Sequence, residues 1–389
     1  MILNLGTYPP KQCGIATFSM DLRNSLLKNG NTVQIMAVSD DKSEYNYPSE
    51  VIYNIRQEEK QDYARAASFV NSSPEIEILI IQHEYGIFGG SHGEYILQFA
   101  AKLKKPYIVV CHTVLPRPRR QQKAILKNLC SRSSAVVCMT KRSARLLSNL
   151  YGVPKELLNV ISHGVPEFKR HPAEELKRKH NLSGKKLIST FGLIGPGKGL
   201  ELGIKAMSEV VRDFPDATYL ILGQTHPMLK KKEGETYRIM LENMVQELNI
   251  ENSVIFVNRF LNDNELGEYL HMSDIYLSPY PNPDQAVSGT MAFAIGCGKA
   301  IVSTSYAYAI EVLENGRGLL AETAHPESLA NLIKKILADP DLQSSLEARA
   351  YKIGKTWTWP NIGRQYSSVL ADILKKSYGH KEQLNYVGL

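Results

Sequence analysis

No apolar run in this chain approaches the roughly 18 to 20 residues that a membrane-spanning helix requires, so no transmembrane segment is expected. Cysteine is sparse as well. Cys13, Cys111, Cys130, Cys138 and Cys297 are scattered, odd in number and form no CxxC pair. That argues against a disulfide framework or a zinc site and makes a reducing cytoplasm the expected compartment. The opening residues MILNLGTYPPKQCGIATF lack a basic region and a long apolar stretch, so a first strand and its loop are expected there, not a signal peptide. Internal repeats and low-complexity tracts are missing too. Acidic residues are absent from one long stretch: none lies between Glu94 and Glu156, while Lys and Arg recur from Lys102 to Lys155. Such a field attracts anions, whether phosphorylated sugars, an anionic membrane surface or nucleic acid. The plain reading is a solvated basic face. Peripheral membrane contact through RPRRQQKAILKNLCSR, with basic residues around Ile125, Leu126 and Leu129, is the alternative. Nucleic acid is set aside, because aromatic interleaving and a recognition motif are both missing.

At 389 residues, 43% hydrophobic and 22% charged, the chain suits two globular domains. Apolar, β-rich runs at residues 2–5, 32–38, 76–82, 107–111, 135–139 and 160–162 alternate with helix-length segments at 19–28, 61–71, 93–102 and 121–130. The pattern restarts after a polar stretch, 167–185, read as a linker. Its second set of strands falls at 186–191, 218–222, 254–257, 275–278 and 300–303. Helices are expected between and after them at 199–212, 235–248, 262–272, 290–296 and 326–337. Near-continuous apolar strands separated by helices describe parallel sheets covered on both faces. The expected fold is therefore α/β, with two Rossmann-like parallel-sheet domains facing across a cleft that serves as the binding place.

Two stretches suit an anion. In FGLIGPGKGLE, residues 191–201, Gly192, Gly197 and Lys198 satisfy the GxxxxGK spacing of a P-loop. The hydroxyl residue that should follow is Gly199, and Pro196 removes a backbone donor, so a magnesium-dependent ATPase is not supported. A lysine at the top of a strand, aimed at a phosphate near a helix N-terminus, remains sensible. In PYPNPDQAVSGT, residues 279–290, Ser288 is a candidate N-cap and Gly289 gives a ligand access to the first-turn N–H groups, with Thr290 beside them. A capped core helix without a ligand is the plainer reading of that turn. In IQHEYGIFGGSHGEY, residues 81–95, HExxH fails because Ile87 stands where the second histidine belongs. The polar groups of His83, Glu84, Gly89 and Gly90 on this glycine-rich, mobile loop remain candidates for holding an acceptor sugar. His163 lines the site or packs at the domain junction. Asp339 and Asp341 in ADPD read as a turn, and no metal site is expected.

Across nearly its whole length the chain resembles the retaining glycosyltransferases of the GT-B fold, the family of sucrose synthase and phosphatidylinositol mannosyltransferases. TYPPKQCGIATF is similar to the family's first loop, with Gly14 kept where Cys13 replaces a paired glycine. VVCHTVLP resembles its strand-then-histidine and implies that His112 lies at the donor sugar. FGLIGPGKGLE resembles the diphosphate loop, with Lys198 in the lysine position. AIGCGKAIVST and AIEVLENGRGLL resemble the last strand and Glu-Val turn, which implies a role for Glu311. WTWPNIGRQYSSVLADIL resembles the helix that crosses back to the first domain. The resemblance implies an acceptor-side domain over 1–167, a donor or phosphate-side domain over 168–353 and a returning helix over 354–389.

The departures carry their own expectations. Leu193 stands where the family's diphosphate loop has arginine. The family's two signature glutamates align with Gln285 and Phe293. Gln285 can still bond sugar hydroxyls without a charge, whereas Phe293 cannot hold a ribose diol. The expected activity is metal-independent transfer of a hexosyl group from a nucleotide sugar to a sugar or glycoconjugate, with mannosyl the relatives' suggestion and no cofactor beyond the donor. The alternative is a phosphorylase using inorganic phosphate held by Lys198, the Ser288–Gly289–Thr290 turn and Arg259. A non-catalytic sugar-binding protein is the third reading. The expected partners are a small-molecule donor and acceptor, in a cytoplasmic protein with or without membrane association.

Overall fold

The structure is a computed structural model that describes residues 1–40, 45–322 and 324–386. The chain divides into two compact units, Met1–Gly164 with Trp359–Leu389, and Val165–Thr358.

In the first unit, seven strands form one parallel sheet. They are β1 (Ile2–Gly6), β2 (Val33–Ser39), β3 (Val51–Arg56), β4 (Ile78–His83), β5 (Tyr107–Cys111), β6 (Ala135–Cys138) and β7 (Leu158–Val160). Their order in the sheet is β3-β2-β1-β4-β5-β6-β7. Every residue of β4 and β5 is buried, which is why both read as unbroken apolar runs. Asn4 on β1 and Gln82 and His83 on β4 are polar yet 1%, 0% and 1% exposed. The helix Trp359–Tyr386 packs along the helix Gly14–Lys28, where the Ser25 hydroxyl donates to the Trp359 carbonyl and Asn31 Nδ2 donates to Ser367 Oγ at 2.8 Å.

The second unit holds a six-stranded parallel sheet of β8 (Lys186–Phe191), β9 (Ala217–Leu222), β10 (Val254–Val257), β11 (Ile275–Ser278), β12 (Ala300–Thr304) and β13 (Leu319–Ala321). Here the order is β10-β9-β8-β11-β12-β13. In both sheets the order reverses beside the first strand, between β1 and β4 and between β8 and β11. Loops leaving the carboxyl ends of those paired strands diverge to opposite faces, so a crevice opens there for a ligand.

Several expectations are corrected. The strand expected at 160–162 lies at Leu158–Val160, and β3, β13 and the helix Lys141–Asn149 had not been anticipated. The stretch 167–185, expected as a linker, carries the helix Ala173–Lys179, anchored by Lys177. That lysine is 5% exposed and its ammonium bonds the Asp274 carboxylate and the Lys185 carbonyl, each at 3.0 Å, which is what a buried charge requires. Asp339 is no mere turn residue: its carboxylate accepts from Leu342 N at 2.9 Å and caps the helix Pro340–Gly354. The apolar residues of the basic stretch, Ile125, Leu126 and Leu129, face the core. Among the described residues no helix is long and apolar enough to cross a membrane.

Candidate functional site

In the second unit, both expected anion stretches leave the crevice strands. The loop after β8 passes through Gly192 and a 3-10 turn, Pro196–Lys198, into the helix Leu200–Asp213. Lys198 N and Gly199 N bond Gly195 O and Pro196 O, so these two backbone donors are used inside the turn. What the loop presents is the Lys198 side chain. Gly199 adopts φ 62° and a Cβ there would lie 2.1 Å from Pro279 O, so the position a P-loop gives to a hydroxyl residue admits only glycine here.

The loop after β11 supplies the partner. Lys198 Nζ donates to the Tyr280 hydroxyl at 2.6 Å, and that hydroxyl hydrogen-bonds Thr290 Oγ1 at 2.9 Å. Thr290 Oγ1 lies 3.1 Å from Ser288 Oγ, which accepts from Met291 N and caps the helix Gly289–Gly296. A Cβ on Gly192 would lie 3.0 Å from Lys198 Nζ and 3.2 Å from Thr290 Cγ2, so the two stretches converge within one crevice. The Lys198 ammonium, the Tyr280 and Thr290 hydroxyls and the first-turn N–H groups that Ser288 does not cap form a cradle for an anion. Burial alone would raise the Tyr280 phenol, but the ammonium beside it and the bonds to Thr290 and Ser288 bring it below its ordinary range. Tyr280 is the residue that the sequence reading missed. Its only sequence signal is an aromatic set between two prolines in PYPNP.

The other expected residues of this unit are placed as follows. Arg259 pairs with Glu265 Oε1 at 2.7 Å, so an anion would have to share its guanidinium. Gln285 turns its amide nitrogen back to Val287 O at 2.9 Å. Glu311 is half-buried on the helix Ala307–Val312 and, after burial itself, helps to raise the Tyr308 phenol. Gly197 has open space around it. Phe293 is 9% exposed and lies between Phe168 and Phe191, at centroid separations of 6.0 and 5.9 Å. Its side chain is part of the core.

In the first unit, the crevice strands present a different chemistry. Gly14 opens the helix Gly14–Lys28, and its Cα has free space. His112 follows β5, is 8% exposed, and is bonded through Nε2 to Gln82 Oε1 at 2.8 Å. Phe18 meets the rings of His112, His163 and Trp359 edge-on at 4.8, 5.2 and 5.2 Å. Burial, then the neighbouring His163 and His83, brings His112 down to about 3, and burial brings His83 and His163 each to about 4. All three imidazoles are neutral at physiological pH. Burial also raises the Glu84 carboxyl, against the Thr113 hydroxyl at 2.6 Å and Tyr85 N at 2.9 Å. Gly89 N and Gly90 N already donate to the Tyr63 hydroxyl and the Glu58 carboxylate, so those two backbone donors are committed to the fold.

Two family models match the chain in succession: Glycosyltransferase Family 4 over residues 13–167 and Glycosyl transferases group 1 over residues 172–353. Among curated proteins, an uncharacterized glycosyltransferase of Methanocaldococcus jannaschii is 21% identical over 93% of this chain and 95% of its own length. The alpha-monoglucosyldiacylglycerol synthase of Streptococcus pneumoniae is 23% identical over 95% of this chain and 84% of its own. Among solved structures, the sucrose-phosphate synthase of Thermosynechococcus elongatus superposes with a TM-score of 0.78 at 16% identity, covering 97% of this chain and 100% of that one. HepE of Anabaena, solved in complex with UDP and glucose, gives 0.76 at 17% identity over 96% of this chain and 100% of its own. At such identities the likeness carries the fold.

Tyr280→Phe keeps the ring stacked on Tyr306, 5.2 Å away, and removes only the hydroxyl between Lys198 and Thr290. Losing that one organising bond should leave the thermal midpoint nearly unchanged and weaken binding of pyrophosphate about five- to tenfold by titration calorimetry. Unchanged affinity would mean that the hydroxyl does not organise the cradle.

Proposed function

We propose that this chain, which belongs to the GT-B glycosyltransferases, moves a hexosyl group from a nucleotide-sugar donor to a sugar or glycoconjugate acceptor, without a metal and with retention of configuration. The observation that carries the reading is the meeting of Lys198, Tyr280 and Thr290 at the strand-order reversal of the second unit. That cradle would hold the donor's phosphates and stabilise the charge that develops on them as the glycosidic bond breaks. The bond from the anomeric carbon to the phosphate oxygen breaks while a bond to the acceptor oxygen forms on the same face. The acceptor's proton passes to the departing phosphate, so no protein nucleophile is required. His112 and Gln285 would orient sugar hydroxyls by neutral hydrogen bonds, Glu311 would do so with its carboxylate, and Glu84 would meet the acceptor. Mannosyl is the sugar we propose; one relative, a GDP-mannose-dependent phosphatidylinositol monomannoside mannosyltransferase of Mycolicibacterium smegmatis, is 20% identical over 63% of this chain, while another is an alpha-monoglucosyldiacylglycerol synthase.

The site in the second unit favours a second reading too. Phe293 is a core residue and offers nothing to a ribose, and the compact cradle suits a single phosphate. In that case the protein is a phosphorylase that exchanges a glycosidic bond for a sugar 1-phosphate. Contact with an anionic membrane belongs to the same proposal for a cytoplasmic enzyme. Because Ile125, Leu126 and Leu129 are buried, it would rest on charge alone. Binding to anionic vesicles should therefore vanish at about 0.5 M salt, and salt-resistant binding would refute a charge-only contact.

Lys198→Ala should lower turnover about 100-fold or more while leaving the unfolding transition in place, since the ammonium serves the leaving phosphate rather than the core. Turnover within a few-fold of the parent would remove Lys198, and the proposed reaction site with it. The anomeric configuration of the product, read by proton NMR at the first time points, tests retention separately.

A further inference from the structure

We infer that Asn4 and Gln82 are positioning residues that fix the tautomer of His112, so that this ring offers Nδ1 as a hydrogen-bond acceptor and selects a neutral hydroxyl over an anion. The inference deepens the proposed function and rests on its reading that His112 orients a sugar.

The chain of bonds begins at a group whose polarity is not in question. Ser19 O is a helix carbonyl and can only accept, and Asn4 Nδ2 lies 3.5 Å from it. With its amide nitrogen so turned, Asn4 presents Oδ1 to Gln82, whose Nε2 donates to it at 2.9 Å. Gln82 therefore presents Oε1 to His112 Nε2 at 2.8 Å, and that nitrogen must carry the proton. The opposite setting would turn Asn4 Oδ1 towards Ser19 O, two acceptors facing each other in a buried place. One carbonyl thus sets the direction of three side chains across β1, β4 and the end of β5.

The surroundings hold this setting. Asn4, Gln82 and His112 are 1%, 0% and 8% exposed, so water does not compete for their bonds. A Cβ on Gly6 would lie 2.9 Å from Gln82 Cβ and 3.0 Å from Gln82 Cγ, so the glycine that ends β1 makes room for the glutamine. His112 N donates to His83 O at 3.0 Å, and Phe18 stands against the imidazole at an interplanar angle of 88°. Burial keeps the ring uncharged near neutral pH. A neutral ring with an acceptor nitrogen has no attraction for a phosphate and a direct one for a hydroxyl proton. The two buried amides on β1 and β4 acquire a purpose beyond filling the core.

The test uses the full chain labelled with 15N histidine and a long-range proton–nitrogen correlation spectrum, with the His112 signals assigned by their loss in His112→Asn. The expected spectrum shows Nε2 protonated and Nδ1 bare in the unliganded protein. A protonated Nδ1 overturns the proposal outright, and this arm needs neither a variant of the relay nor a substrate. In Gln82→Met the acceptor is gone, and the expected result is a mixture of tautomers. KM for the hexosyl donor should then rise about five- to tenfold with kcat within about twofold. In Gln82→Glu the carboxylate favours an imidazolium, and KM should become dependent on pH, rising as the pH falls. A single retained tautomer in Gln82→Met, or an unmoved KM in a folded variant, overturns the positioning role while the proposed transfer reaction stands. Failure of the parent chain to use any hexosyl donor would sink that reaction instead, with the ring spectrum still as expected.

Discussion

The bond from Lys198 Nζ to the Tyr280 hydroxyl joins two stretches of chain that lie far apart in sequence and leave neighbouring strands of the sheet. Without it, the loop after β8 offers a flexible ammonium and the loop after β11 offers a capped helix, two ordinary features. With it, a cation, two hydroxyls and a helix end point at one place. The strand order makes that meeting possible. Because β8 and β11 are adjacent and their following segments depart to opposite faces, the space at their carboxyl ends is left for a ligand. Gly199, in a left-handed conformation against Pro279 O, keeps the two loops close enough for the bond to form.

The first unit uses the same strand order to a different chemical end. Its crevice holds neutral imidazoles, a carboxyl with a raised pKa and aromatic edges. The second unit's crevice carries an ammonium among hydroxyls, whereas the first unit's crevice carries neutral groups able to hydrogen-bond. The departures from the family pattern fit this division unevenly. Gln285 keeps the hydrogen-bonding capacity of the acid it replaces, whereas Phe293 has left polar chemistry and joined Phe168 and Phe191 in the core.

How much of this was legible from the sequence follows from how local each signal is. β4, β5, β11 and β12 are buried on both faces and read as apolar runs, so the doubly wound fold was visible. By contrast, β3 is an edge strand with half-exposed residues, β13 has three residues, and the helix Ala173–Lys179 looks polar because Lys177 finds its partner, Asp274, almost a hundred residues on. Lys198 and Ser288 were legible because a loop spacing and a helix cap are short-range patterns. Tyr280 was not, since its role depends on which strand lies next to which. Asn4 and Gln82 carried a signal that went unread: an amide inside a buried strand needs a partner. The basic stretch misled in one respect, for its charges are real while its apolar residues serve the core.

Calorimetric titration of the parent protein with UDP, GDP and inorganic phosphate in turn tests the central claim most directly. The account predicts that one nucleoside diphosphate binds at least about tenfold more tightly than phosphate, a difference of about 1.4 kcal/mol. Binding of phosphate with no heat from either nucleotide would contradict it and would make the enzyme a phosphorylase.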